Sequence, residues 1–234
     1  VDESQGFYER QLVKLGNRDL TGADFTWVLS DFVQDVEYPE NIVALERREW
    51  GNFYAHLIDI KESGNAIAFS GGTEAAQQSR WDDFNKRLAR ALEIHEEIYA
   101  IEKQEIGQIN YGMERLRLRE RRLQLDEEDT PEALAEIEAA RSQLAAEYDV
   151  LQQELIHLYE TINRDTAVFM AANQQQKEIR FADIVRAYQP NKLSLFAKVL
   201  TYFSKLGEFM MDEPREANTE GGIFPAIFGT VMMV

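Results

Sequence analysis

The apolar positions change period twice along the chain. Between residues 7 and 69 they form short β-branched and aromatic runs at 11–15, 25–29 and 42–46, set off by Gly, Asn or Pro, the pattern of small antiparallel sheets. Residues 52–60 alternate, with Phe53, Ala55, Leu57 and Asp59 on one face and Tyr54, His56, Ile58 and Ile60 on the other. Residues 62–65 read as a hairpin turn that returns the chain through 66–69.

At residue 73 the period becomes helical. Thr73 is the expected N-cap of a helix over 74–125, a segment free of proline and rich in Glu, Arg, Gln, Ala and Leu. Its apolar residues, among them Phe84, Leu88, Ile98, Ile101, Ile106, Ile109, Leu116 and Leu123, recur mostly every three or four positions. An acidic turn at about 126–131 follows, with Thr130 as cap and Pro131 in the first turn of the next helix. There Leu134, Ile137, Arg141, Leu144, Tyr148, Leu151, Leu155, Leu158 and Ile162 alternate spacings of three and four. The two helices are predicted to fold back as an antiparallel coiled-coil hairpin. Arg141, the one polar core position, either pairs with an acid of the facing helix or snorkels into water.

Strand signals return at 167–170, 178–181 and 184–185. The predicted fold is therefore α+β: a small antiparallel β domain interrupted by the hairpin. Its parts are a β-rich segment at 1–72, the hairpin at 73–164 and returning strands at 165–190. Residues 192–211 carry a wide apolar face, suiting a helix at a membrane interface or one packed on the β part; it and its connector occupy 191–220. Residues 221–234 are uncharged and apolar, the expected start of a transmembrane helix, which needs about 20 such residues. The natural protein is accordingly expected to continue past Val234, with its targeting signal upstream of Val1.

Charge narrows the partners. Lys plus Arg number 25 against 42 Asp plus Glu, a net charge of −17, which repels nucleic acid. The absence of cysteine removes disulfides, thiolate metal sites and thiol catalysis. His56, His95 and His157 form no ligand-spaced pair, no phosphate loop exists, and no nucleophile is assembled with a base, so neither enzyme activity, a cofactor nor a metal is expected. Two basic clusters remain as candidate contacts for an anion or an acidic partner. One is Arg47 and Arg48 beside Trp50; the other is the stretch holding Arg115, Arg119 and Arg122. Ion pairing inside the protein is the competing role for both.

Four stretches carry a family resemblance. Residues 15–27 read Leu-Gly-Asn-Arg-Asp-Leu-Thr-Gly-Ala-Asp-Phe-Thr-Trp, and residues 45–54 read Leu-Glu-Arg-Arg-Glu-Trp-Gly-Asn-Phe-Tyr. Residues 184–191 read Ile-Val-Arg-Ala-Tyr-Gln-Pro-Asn. Residues 212–230 include Asp-Glu-Pro-Arg-Glu-Ala-Asn-Thr-Glu-Gly-Gly-Ile-Phe-Pro. Together they resemble the extended form of the PstA-type permease subunit of the bacterial phosphate ABC importer. The resemblance implies an extracytoplasmic loop domain of an inner-membrane protein, on the periplasmic side, between the first and second spans. It implies as partners the membrane, the second permease, the ATPase through a permease core beyond Val234, and a periplasmic phosphate-binding protein. The hairpin carries only generic heptads. A β domain interrupted by a coiled coil also suits a periplasmic adaptor, the alternative reading.

Overall fold

The computed structural model describes residues 9–23, 25–70 and 73–211. The predicted membrane-span start and the 212–230 stretch lie outside these residues. Among the described residues, eight strands and five α-helices are ordered β1 (Arg10–Lys14), α1 (Arg18–Thr21), β2 (Phe25–Leu29), β3 (Ile42–Arg47), β4 (Asn52–Glu62), β5 (Asn65–Ala66), α2 (Thr73–Ala100), α3 (Ile106–Asp126), α4 (Pro131–Ile162), β6 (Asp165–Met170), β7 (Gln176–Arg180), β8 (Ile184–Tyr188) and α5 (Leu195–Met211). The chain divides into two compact units, one formed by residues up to Asn85 and from Thr166 onward, the other by Lys86–Asp165.

In the first unit, β1 and β2 form an antiparallel ribbon in which Leu12 faces Trp27. The larger sheet runs β7-β6-β4-β3-β8, with β5 paired to β4. Strands from before and after the helices thus share one sheet. Ser63 and Gly64 both have positive φ, as a two-residue hairpin turn between β4 and β5 requires. The return strand is shorter than the sequence implied: pairing covers Asn65 and Ala66, and Ile67 adds one bond from its N–H to the Ile60 carbonyl.

The alternation read for β4 also fails at its far end, because Ile60 is buried together with Phe53 and Ala55 although it lies an odd number of residues from both. The ladder with β3 stops at His56 and pairing with β5 begins at Lys61, and between them the Asp59 carboxylate accepts the Ile60 N–H. Residues 73–85 of α2 belong to this unit and lie on the sheet through Phe84. That ring meets Phe181 at 5.1 Å and Phe169 at 6.0 Å, and Phe169 meets Phe53 at 6.1 Å. Burying a side chain such as Phe84 contributes about 1.5–3 kcal/mol.

The second unit is a helical hairpin. Thr130 caps α4, its hydroxyl accepting the Ala133 N–H, with Pro131 at the first helical position. Ile109 of α3 and Ile137 of α4 are buried, while Leu144, Leu151, Leu155 and Leu158 are less exposed than their neighbours. The Gly112 backbone comes so near α4 that an added Cβ would lie 3.0 Å from Leu144 Cδ1. Arg141 pairs with Glu120 of α3 and, at 3.8 Å, with Glu138 of its own helix. The single helix predicted over 74–125 contains a π-helical stretch, Ile101–Glu105. It coincides with a five-residue step from Ile101 to Ile106 in the apolar series, where an α-helix would need three or four.

Candidate functional site

The stretches 15–27, 45–54 and 184–191 meet at one corner of the sheet unit. Gly16 and Asn17 both have positive φ, and a Cβ on Gly16 would lie 2.5 Å from Tyr54 Cδ2, so only glycine permits this approach. Asn17 is buried and behaves like a strand residue made from a side chain. Its amide donates to the Tyr54 carbonyl at 2.9 Å, and its Oδ1 accepts the Tyr54 N–H at 2.6 Å. Two residues later Asp19 meets Arg47.

Arg47 is aimed inward by a bulge in the β3–β8 register between Glu46 and Arg47. Its guanidinium donates twice to Asp19, at 2.8 and 3.0 Å, and to the carbonyls of Gly51 and Trp50, each at 3.1 Å. It also lies 4.9 Å from the Phe53 ring centre. Trp50 and Gly51, both at positive φ, make the β3–β4 turn that these bonds clamp. Burial works against the Asp19 charge, but the hydrogen bond and charge of Arg47, with Lys177 at 3.4 Å, outweigh it and hold the carboxyl below its ordinary range.

Arg47, offered by the sequence as an anion or partner contact, is therefore spent inside the fold. Arg48 is half-buried and its Nε donates to the Ala182 carbonyl at 3.0 Å. Of that trio only Trp50 presents its side chain outward. At the same corner Glu46 is paired with Arg186 at 3.9 Å and with Lys205 of α5.

The second predicted cluster does come together. Arg115, Arg119 and Arg122 line one groove of the hairpin unit, about 610 Å³, opposite Ala140, Gln143 and Leu144 of α4. Arg119 reaches Glu136 at 3.3 Å, and Arg115 lies 5.9 Å from the Tyr111 ring. Among the described residues, no group of three or more His, Asp or Glu side chains is placed to hold a metal.

Helix α5 does not turn its apolar face onto the sheet unit. Its small and polar stripe, Ala197, Thr201 and Lys205, is its less exposed side, and Lys205 ties it to Glu46. The wide apolar face points out: Phe196 is 74% and Phe203 63% exposed, with Val199, Leu200 and Leu206 beside them. Among the described residues no helix is long and apolar enough to cross a membrane. The Asn17 bridge was not visible in the sequence, since its partner is 37 positions away and an isolated Gly-Asn reads only as a turn. Comparison with protein families, curated proteins and solved structures yields no match.

Proposed function

We propose that this chain is an extracytoplasmic accessory module of a phosphate importer permease in the bacterial inner membrane, docking the periplasmic phosphate-binding protein. The observation that carries the reading is the convergence of three of the four family-like stretches on one corner, through Asn17 with Tyr54, Asp19 with Arg47, and Glu46 with Arg186. The resemblance thus follows one structural unit instead of being scattered through unrelated surface. A membrane-side location is supported by the outward aromatic and aliphatic face of α5, which suits the boundary between headgroups and acyl chains. The second permease and the ATPase are its partners through the permease core, and the module itself neither transports nor hydrolyses.

The test is association of the purified chain with the phosphate-binding protein, phosphate-loaded and phosphate-free, by surface plasmon resonance. Saturable binding that depends on the phosphate state is expected; absence of binding in both states sinks the docking role. The adaptor reading is favoured by one feature, a helical hairpin whose flanking strands share a sheet. Ring-shaped oligomers of the chain in light scattering would move that reading ahead.

A further inference from the structure

A cavity of about 400 Å³ lies in the sheet unit between β4, residues 77–81 of α2, the segment at 39–41 and the chain after β8. We propose that it binds a small organic monoanion, a carboxylate carrying an apolar body. The inference does not rest on the importer reading: of its lining residues only Gln189 falls in a family-like stretch, and none takes part in the Asn17–Tyr54, Asp19–Arg47 or Glu46–Arg186 contacts.

The argument begins with cations lacking carboxylates. The chain has 42 acidic residues for 25 Lys and Arg, so a pair of cations lining one cavity with a single carboxylate runs against its overall charge. Arg80 and Lys192 both line the cavity, and neither has an ion-pair partner among the described residues. Arg80 Nε is also buried without a hydrogen-bond partner, while its guanidinium carbon sits 5.4 Å from the Phe69 ring centre. The terminal nitrogens of Arg80 carry no hydrogen bond among the described residues and are not buried, so they are the donors a ligand could reach. A guanidinium fork matches a carboxylate with two parallel N–H···O bonds.

The remaining wall sets the rest of the ligand. Leu57, Ile58, Trp81 and Met170 supply an apolar surface, and His56, Asn41 and Gln189 add polar groups at intervals, the mixture typical of small-molecule sites. Glu40 is the one carboxylate in the lining. Two cations against one carboxylate leave a single net positive charge, which suits a monoanion and disfavours a dianion such as a phosphate ester.

The walls are also fixed in advance. Asn41 donates to Gln77 at 2.9 Å, Asn191 to the Pro39 carbonyl at 2.8 Å, and the Lys192 N–H to the Gln189 carbonyl at 3.2 Å. Three segments far apart in sequence are thereby held around the space, which lowers the ordering cost of binding.

The test is isothermal titration calorimetry of the whole chain with naphthalene-1-acetate, its neutral amide, and inorganic phosphate. One-to-one saturable binding of the acid is expected, with the amide and phosphate each weaker by about tenfold or more. Arg80→Gln is expected to weaken the acid about tenfold, and Lys192→Gln, at an exposed position, about threefold. Should Arg80→Gln melt early by circular dichroism, Lys192→Gln and the acid-to-amide comparison decide alone. No saturable binding up to about 10 mM, an amide equal to the acid, or phosphate binding as tightly as the acid would each overturn the proposal, as would acid binding unchanged in well-folded variants.

Discussion

Arginine serves opposite ends at the sheet corner and along the hairpin groove. In the sheet unit Arg47 and Asp19 leave only 4% and 7% of their side chains exposed, and Arg47 makes four hydrogen bonds. In the hairpin unit Arg119 and Glu136 are 54% and 70% exposed and share one contact at 3.3 Å. The first arrangement ties one backbone path together, because without it the Trp50 and Gly51 carbonyls lose the donors it supplies and Asp19 keeps only Lys177. The second fixes nothing in particular and leaves its arginines available to solvent or to another molecule. Burial, then, separates a charged residue that shapes the fold from one that is free to act.

Removing Arg47 is the strongest way to break this contrast. Arg47→Ala strands Asp19 and opens the β3–β4 turn, and a loss of about 3–5 kcal/mol is expected, measured by urea denaturation. Arg47→Lys should recover little of it, since a point charge cannot replace a fork that serves two carbonyls and a carboxylate.

Acid sharpens the contrast without mutation. The Asp19 carboxyl is held below its ordinary value of 3.8, so its stabilisation is complete above that value and is lost as pH falls through the lower, folded one. Asp165 of the hairpin unit behaves alike. Burial opposes its charge, and Arg164 and Arg87 prevail, with contacts of 2.7 Å from each. Denaturation midpoints followed from about pH 6 to pH 2 should decline mainly below about pH 4, and Asp19→Asn should flatten part of that decline. The smallest effect belongs to the hairpin surface: Arg119→Ala should change stability by less than about 0.5 kcal/mol.

The helical hairpin was legible because its information is local. Spacings of three and four, the Thr130–Pro131 start and the acidic turn can all be read within a few residues of one another. The opposed pair at Arg141 and Glu120 was half legible: the polar core position stood out, although several acids competed to be its partner. What escaped was non-local. The Asn17–Tyr54 bridge, the inward turn of Arg47 at a bulge and the meeting of Arg80 with Lys192 each join positions whose neighbourhood is set by strand order. Burial of Ile60 on the face opposite Phe53 and Ala55 escaped for a related reason, since which faces of a strand are covered is set by what packs on them and not by the strand's own pattern.

The π-helical stretch at Ile101–Glu105 has a bearing on how this hairpin can vary. One surplus residue, absorbed in a single widened turn, keeps Ile109 in phase with Ile101; left in a regular helix it would swing everything beyond by about 100°. Length here behaves like a vernier. Seven residues added to both arms extend the hairpin by about 10 Å and preserve the facing rows, whereas one residue added to a single arm demands another widened turn. The hairpin can therefore lengthen or shorten in whole-heptad steps while the strands on either side stay unchanged.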